Sequence, residues 1–129
     1  MTAWTKLLIG PTATIRQAIE TIDVGGMQIA FVVVSDMRLL GTVSDGDVRR
    51  AILKGVDLSA PATRIMNQHP LVAHPGDDRE SVLAGMRAKQ IHLVPVVDSA
   101  GRMVGLDVFD ELVRPSRRDN VVVLMAGGR

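Results

Sequence analysis

A chain of 129 residues makes roughly one compact unit with room for a real core. Hydrophobic residues account for 47% and charged ones for 22%, which is ordinary for a folded domain and too apolar for disorder. Fifteen Lys and Arg against fourteen Asp and Glu leave a net charge of +1, so no broad basic face is on offer to a nucleic acid or a membrane surface. Trp4, Phe31 and Phe109 are the whole aromatic complement, too few for base-stacking rows. The absence of Cys excludes a disulfide scaffold, thiolate zinc and a cysteine nucleophile, and no apolar run reaches the ~20 residues of a membrane span. A soluble, cytoplasmic domain is expected.

The first element is a short apolar strand at residues 7–9, closed by Pro11. Thr14 and Gln17 have the spacing of a capping box and open a helix whose apolar stripe is Ala18, Ile19 and Ile22. Gly25-Gly26 ends it, since glycine accepts the left-handed cap conformation. The continuous β-favouring run 29–34 suits a strand buried on both faces. A polar turn, Ser35-Asp36-Met37-Arg38, leads into a hairpin partner at 39–43. A second helix runs from about Asp45 to Lys54 and stops at Gly55, and residues 56–63, with Pro61, form a linker.

The order then begins again. Sliding the chain on itself by 64 residues, without a gap, matches Leu7, Pro11, Val32, Val33, Ser35, Arg38 and Gly41 with Leu71, Pro75, Val96, Val97, Ser99, Arg102 and Gly105. A strand is expected at 71–73 and a helix opened by Asp77 with Glu80 and striped by Val82, Leu83 and Met86. A hairpin follows, with arms 91–97 and 103–106, and then a last helix ending before Pro115. The predicted unit is β-α-β-β-α, twice, an α+β fold. About three strands per copy leave an apolar face that one copy of some fifty residues cannot cover, so the copies must pack together and form a cleft between them.

This order, together with Gly41-Thr42-Val43-Ser44-Asp45-Gly46-Asp47-Val48 and the strand Leu93-Val94-Pro95-Val96-Val97-Asp98, resembles the cystathionine-β-synthase (CBS) domain, in the tandem arrangement called a Bateman module. The resemblance spans about residues 5–114 and divides the chain at 1–60, 61–114 and 115–129. It implies an adenine nucleotide (AMP, ADP or ATP) as regulatory ligand, homodimers built from the pairs, and control of an attached protein. The Gly-x-x-Ser-x-x-Asp run has its own rationale. A carboxylate at a helix opening can accept both ribose hydroxyls, while the helix N-terminus and the Ser hydroxyl favour a phosphate.

Carried onto this sequence, the ligand-binding residues are Thr42, Ser44 and Asp47 from the first copy, facing His69, Pro70, Leu71, Ile91, His92 and Leu93 from the second. Leu93 stands where some relatives carry a phosphate-binding Arg, and Arg49 and Arg50 are the alternative source of positive charge. The plain alternatives are that Asp47 is a solvated first-turn carboxylate, Ser44 only a helix cap, and the two arginines a surface pair. The pseudo-symmetric cleft has Val108 and Glu111 in place of Ser and Asp, with Phe109 beside them. It would face residues 5–7 and 27–29, and is expected to be weak or empty. His69, His74 and His92 lack metal-ligand spacing, so no metal is expected, and no nucleophile–base set points to catalysis by this stretch.

Residues 120–129, Asn-Val-Val-Val-Leu-Met-Ala-Gly-Gly-Arg, have no counterpart in the repeat. A strand entering a glycine-rich turn is how many α/β nucleotide-binding domains begin. The run resembles the start of sugar-1-phosphate nucleotidyltransferases, with residues 114–118 as linker, which implies a covalently attached transferase regulated by the pair. Two other readings stand beside nucleotide sensing: a ligand-free dimerisation scaffold, and a sensor of a sugar-nucleotide end product.

Overall fold

In the computed structural model, which describes residues 4–113, two β-α-β-β-α copies lie against each other. A 3-10 turn at Trp4–Leu7 precedes β1 (Leu8–Ile9), α1 (Ile15–Gly25), β2 (Ile29–Val33), β3 (Leu39–Ser44) and α2 (Asp45–Leu53). The second copy contains α3 (Arg79–Lys89), β4 (Leu93–Val97), β5 (Met103–Val108) and α4 (Phe109–Val113), after a second 3-10 turn at Ala62–Arg64. The expected linker is not free chain. Its carbonyls at Leu58 and Ala60 accept the orphan amides of Arg16 and Ile15, so it caps the start of α1. Residues 114–118 and 120–129 lie outside the described residues.

The first sheet has the order β1-β2-β3, with β1 parallel and β3 antiparallel to β2. β2 is buried almost throughout, as its uninterrupted apolar run requires. The second sheet has only β4 and β5. The strand expected at 71–73 shrinks to one residue: Ala73 pairs with Val96, in the register in which Ile9 pairs with Val32. Extending that ladder towards Leu71 needs an N–H from residue 95, and Pro95 has none.

The helix ends follow local chemistry. Thr14 and Gln17 form the expected reciprocal capping box, with N–H···O distances of 3.1 and 2.9 Å. Gly26 closes α1 at φ 70°. The start of α3 differs from expectation by one residue. Asp78, not Asp77, is the cap, accepting from the Ser81 amide at 3.1 Å, while Asp77 accepts from the His74 amide. Asp78 is also the residue that the 64-residue offset matches to Thr14.

Each copy has its own apolar core, around Val32 and Val43 in the first and around Met86 and Val94 in the second. A third cluster joins them: Met103 and Leu106 pack against Leu7, Phe31, Trp4, Met27, Ile29 and Leu39. The hairpin turns complete the junction. Leu39 donates to the Gly101 carbonyl at 3.0 Å and Met103 to the Met37 carbonyl at 2.8 Å, two bonds exchanged by the repeat. Arg38 pairs with its own counterpart Arg102, so the pseudo-two-fold axis passes between them. Two like charges in that position would repel, and each guanidinium instead folds back on a carboxylate, Asp36 at 3.0 Å and Asp98 at 3.2 Å.

Candidate functional site

The two copies enclose an open cleft of about 750 Å³ on one side of the molecule, within the range usual for small-ligand sites. Thr42, Ser44 and Asp47 line it from the first copy, and His69, Pro70, Leu71, Ile91, His92 and Leu93 from the second. The structure brings all nine residues expected from the sequence together in one cleft. Arg50 lines it too; Arg49 does not, and pairs with Asp45 one turn back at 3.0 Å. Arg49 is thus placed at the surface, outside the cleft lining.

β3 runs into α2 at Ser44, which leaves the strand in an extended conformation and caps the helix. Its Oγ accepts the Asp47 amide at 3.2 Å, and Asp47 Oδ2 returns the bond to the Ser44 amide at 2.9 Å. The Ser44 hydroxyl proton is also engaged, with Oγ 3.0 Å from Asp47 Oδ2. Asp47 Oδ1 takes the Arg50 guanidinium at 2.6 Å. The carboxylate is thus half a helix cap and half an ion pair. Its side chain is 16% exposed, against 65% for that of Arg50, so the pair has one end in the cleft wall and the other in solvent.

The opposite wall is assembled less regularly. Pro70 and Leu71 lie on the chain where the missing strand would have been. His92 is held by its carbonyl, which accepts the Phe109 amide at 2.8 Å, and its ring meets Phe109 at 5.7 Å between centroids, tilted by 57°. Arg87 lies over the same Phe109 ring at 5.7 Å.

Sequence reasoning missed part of the lining, namely Ile65, Met66, Asn67, Lys89, Gln90 and Pro95, and it assigned Met27, Gln28 and Ile29, which also line this cleft, to the pseudo-symmetric one. Met66 and Asn67 are there because Asn67 pairs with Thr42, through bonds of 3.0 and 2.8 Å, and so extends the first sheet beside β3. A signal for this existed in Gly41. A Cβ there would lie 2.5 Å from the Asn67 carbonyl oxygen and 2.9 Å from Met66 Sδ, and a mid-strand glycine often marks such a close approach of another backbone. The charged lining consists of Asp47, Arg50 and Lys89, a net +1 with one pair already neutralised.

The pseudo-symmetric cleft has a different fate. Leu106, the counterpart of Thr42, packs against the buried cluster of Leu7, Phe31 and Met103 between the copies, as do Trp4, Met27 and Ile29. Phe109 turns to the core of its own copy. Among the described residues no group of three or more His, Asp or Glu side chains could hold a metal ion, and no helix is long and apolar enough to cross a membrane.

Comparisons with known proteins agree with this architecture. The profile of the CBS domain matches residues 5–54 and 62–106. Inosine-5'-monophosphate dehydrogenase of Yersinia pestis is 30% identical over 114 residues, 87% of this chain and 23% of that protein. The Haemophilus influenzae protein named "Probable arabinose 5-phosphate isomerase" is 30% identical over 101 residues, 77% of this chain and 30% of its own. The chain thus spans about a quarter of the length of these relatives. Among solved structures, a CBS domain protein of Pyrobaculum aerophilum complexed with AMP superimposes with a TM-score of 0.74 at 27% identity, covering 87% of this chain and 86% of that one. Fold, repeat register and family match together identify the chain as a member of the CBS domain family, carrying two CBS domains in tandem.

Proposed function

We infer that the open cleft binds an adenine nucleotide and that the pair is a regulatory sensor rather than a catalyst. The observation that carries this reading is the convergence of nine expected residues on one cavity, with the carboxylate of Asp47 at its wall beside the N-terminus of α2. In this reading the ribose diol bonds to Asp47, and the adenine lies among Ile65, Leu71, Ile91 and Leu93, an aliphatic sandwich in a chain poor in aromatics. The phosphate lies towards Arg50 and the α2 N-terminus. The related protein solved with AMP supports the ligand class.

Calorimetry with AMP, ATP and a sugar nucleotide on the wild type and Asp47→Ala tests it. Saturable binding of an adenine nucleotide that Asp47→Ala weakens by at least about tenfold is expected, from the loss of a charge-assisted pair of bonds. Silence from every ligand would favour a scaffold, and selective binding of the sugar nucleotide an end-product sensor.

The regulated partner is an attached enzyme, as the length of the relatives suggests. Residues 120–129 point to a sugar-phosphate nucleotidyltransferase. Its activity in the full-length protein should respond to AMP or ATP, and an unresponsive enzyme would remove that assignment. Val24 on α1 and Ile52 and Leu53 on α2, all exposed, supply apolar surface for pairing with a second copy. Light scattering checks that the module is a homodimer.

A further inference from the structure

Asp47 is already engaged within the cleft wall, and its partners have chemical consequences. Oδ2 is committed to the Ser44 amide and hydroxyl, at 2.9 and 3.0 Å, and Oδ1 to Arg50 at 2.6 Å. A carboxylate offers about four acceptor positions. Three are taken here and a ribose diol needs two, so it displaces either Arg50 from Oδ1 or a Ser44 bond from Oδ2, and the exposed guanidinium gives way more readily than the capping box. We propose that Arg50 is a built-in competitor for Asp47 that makes the cleft select phosphorylated over unphosphorylated nucleosides. This rests on the nucleoside reading above and deepens it.

Two costs differ between the ligand types. An unphosphorylated nucleoside ejects Arg50 from its ion pair and offers it no anion in return. A nucleotide ejects it equally but carries a phosphate into the same cleft, where the released guanidinium can form a new charge-assisted pair. Arg50 is suited to this exchange. Its side chain is 65% exposed and held only at its tip, so it can swing without disturbing the core. Gly46 leaves the space beside it open, since even an added Cβ there would stay 3.5 Å from the guanidinium. Lys89, on the other copy, adds positive charge to the lining whether or not Arg50 is released.

The test is calorimetry with adenosine and AMP on the wild type, Arg50→Ala and Arg50→Lys. Arg50→Ala frees Asp47, so adenosine should bind about threefold tighter, while AMP loses a phosphate partner and weakens. The AMP-to-adenosine preference should fall by about tenfold, with Arg50→Lys intermediate because its ammonium pairs at a single point. Unchanged or weakened adenosine binding in Arg50→Ala, with the preference preserved, would overturn the competitor role while leaving the nucleoside site standing. Binding of neither ligand by the wild type would overturn the nucleoside reading and this inference with it. Matching urea midpoints among the three proteins show that the shift is one of recognition, since an exposed ion pair contributes little to folding.

Discussion

Replacing Gly41 by Ala probes whether the floor of the cleft depends on backbone-to-backbone contact. The added Cβ would sit 2.5 Å from the Asn67 carbonyl oxygen, where ordinary contact begins at 3.4 Å. The Met66–Asn67 backbone must therefore retreat by about 0.9 Å. Its two bonds with Thr42, at 3.0 and 2.8 Å, have little slack for such a shift. Losing them costs ~1 kcal/mol each, and overpacking adds ~1–3 kcal/mol. The reduced entropy of the unfolded chain returns ~0.5–1 kcal/mol. The net is about 3 kcal/mol, or roughly a 1.5 M fall in the urea midpoint at ~2 kcal/mol per M. Gly105, the counterpart in the second copy, is the internal control. A Cβ there would lie 3.7 Å from Val96 Cβ, in ordinary contact. Gly105→Ala should leave the midpoint unchanged or raise it, by at most ~0.5 kcal/mol. Urea unfolding followed by circular dichroism checks both. Equal effects from the two substitutions would refute the claim that the approach of Asn67, rather than strand propensity, holds Gly41 in place.

Three further outcomes are expected. Gln90 closes α3 in the left-handed region at φ 57°, where its counterpart Gly26 closes α1 at φ 70°, so Gln90→Gly should stabilise by about 0.5–1 kcal/mol, read as a higher midpoint. Burial, then the neighbouring charges of Asp77 and Glu111, raise the pKa of Asp107 above the ordinary carboxylate value. The folded state therefore holds this proton at a pH where the unfolded chain has lost it, and the charge on Asp107 works against folding at neutral pH. Asp107→Asn should be more stable than wild type near pH ~7, the gap closing as pH falls through the raised value towards the ordinary one; a gap that widens on acidification would contradict the assignment. Restoring polar groups in the other cleft, with Val108→Ser and Glu111→Asp together, should leave calorimetric stoichiometry at one nucleotide per chain, because Leu106, packed on the apolar cluster between the copies, stands where the open cleft has Thr42. A second site in that variant would show that the missing polar groups, not the packing, close that cleft.

Much of the site was readable because it is local. Thr42, Ser44 and Asp47 fall within one strand-to-helix junction, and the same three-residue spacing that caps α2 brings the carboxylate to the cleft wall. Arg49 and Arg50 were not separable in sequence. One helical position turns the first towards Asp45 and the second towards Asp47 and the cleft. At the start of α3 the repeat register, which matches Asp78 to Thr14, locates the cap better than the Asp77 and Glu80 spacing taken alone. The strand missing at 71–73 was legible in Pro95, whose lack of an N–H acts on a neighbouring strand rather than its own.

The repeat itself, the α+β order of each copy, the caps at Thr14, Gly26 and Ser44, and the pairing of β2 with β3 and β4 with β5 follow from periodicity and side-chain chemistry within some fifty residues. Those signals describe a chain with two similar halves, one of whose clefts already lacks the Ser and Asp of the other, having Val108 and Glu111 instead. Tertiary packing adds to the difference. Leu106 packs on the Leu7, Phe31 and Met103 cluster between the copies, whereas its counterpart Thr42 pairs with Asn67 at the wall of the open cleft. Whether a polar carboxylate faces a cavity or a neighbouring apolar side chain depends on residues far apart in sequence. No local pattern encodes that choice; the mutual burial of the two apolar faces makes it.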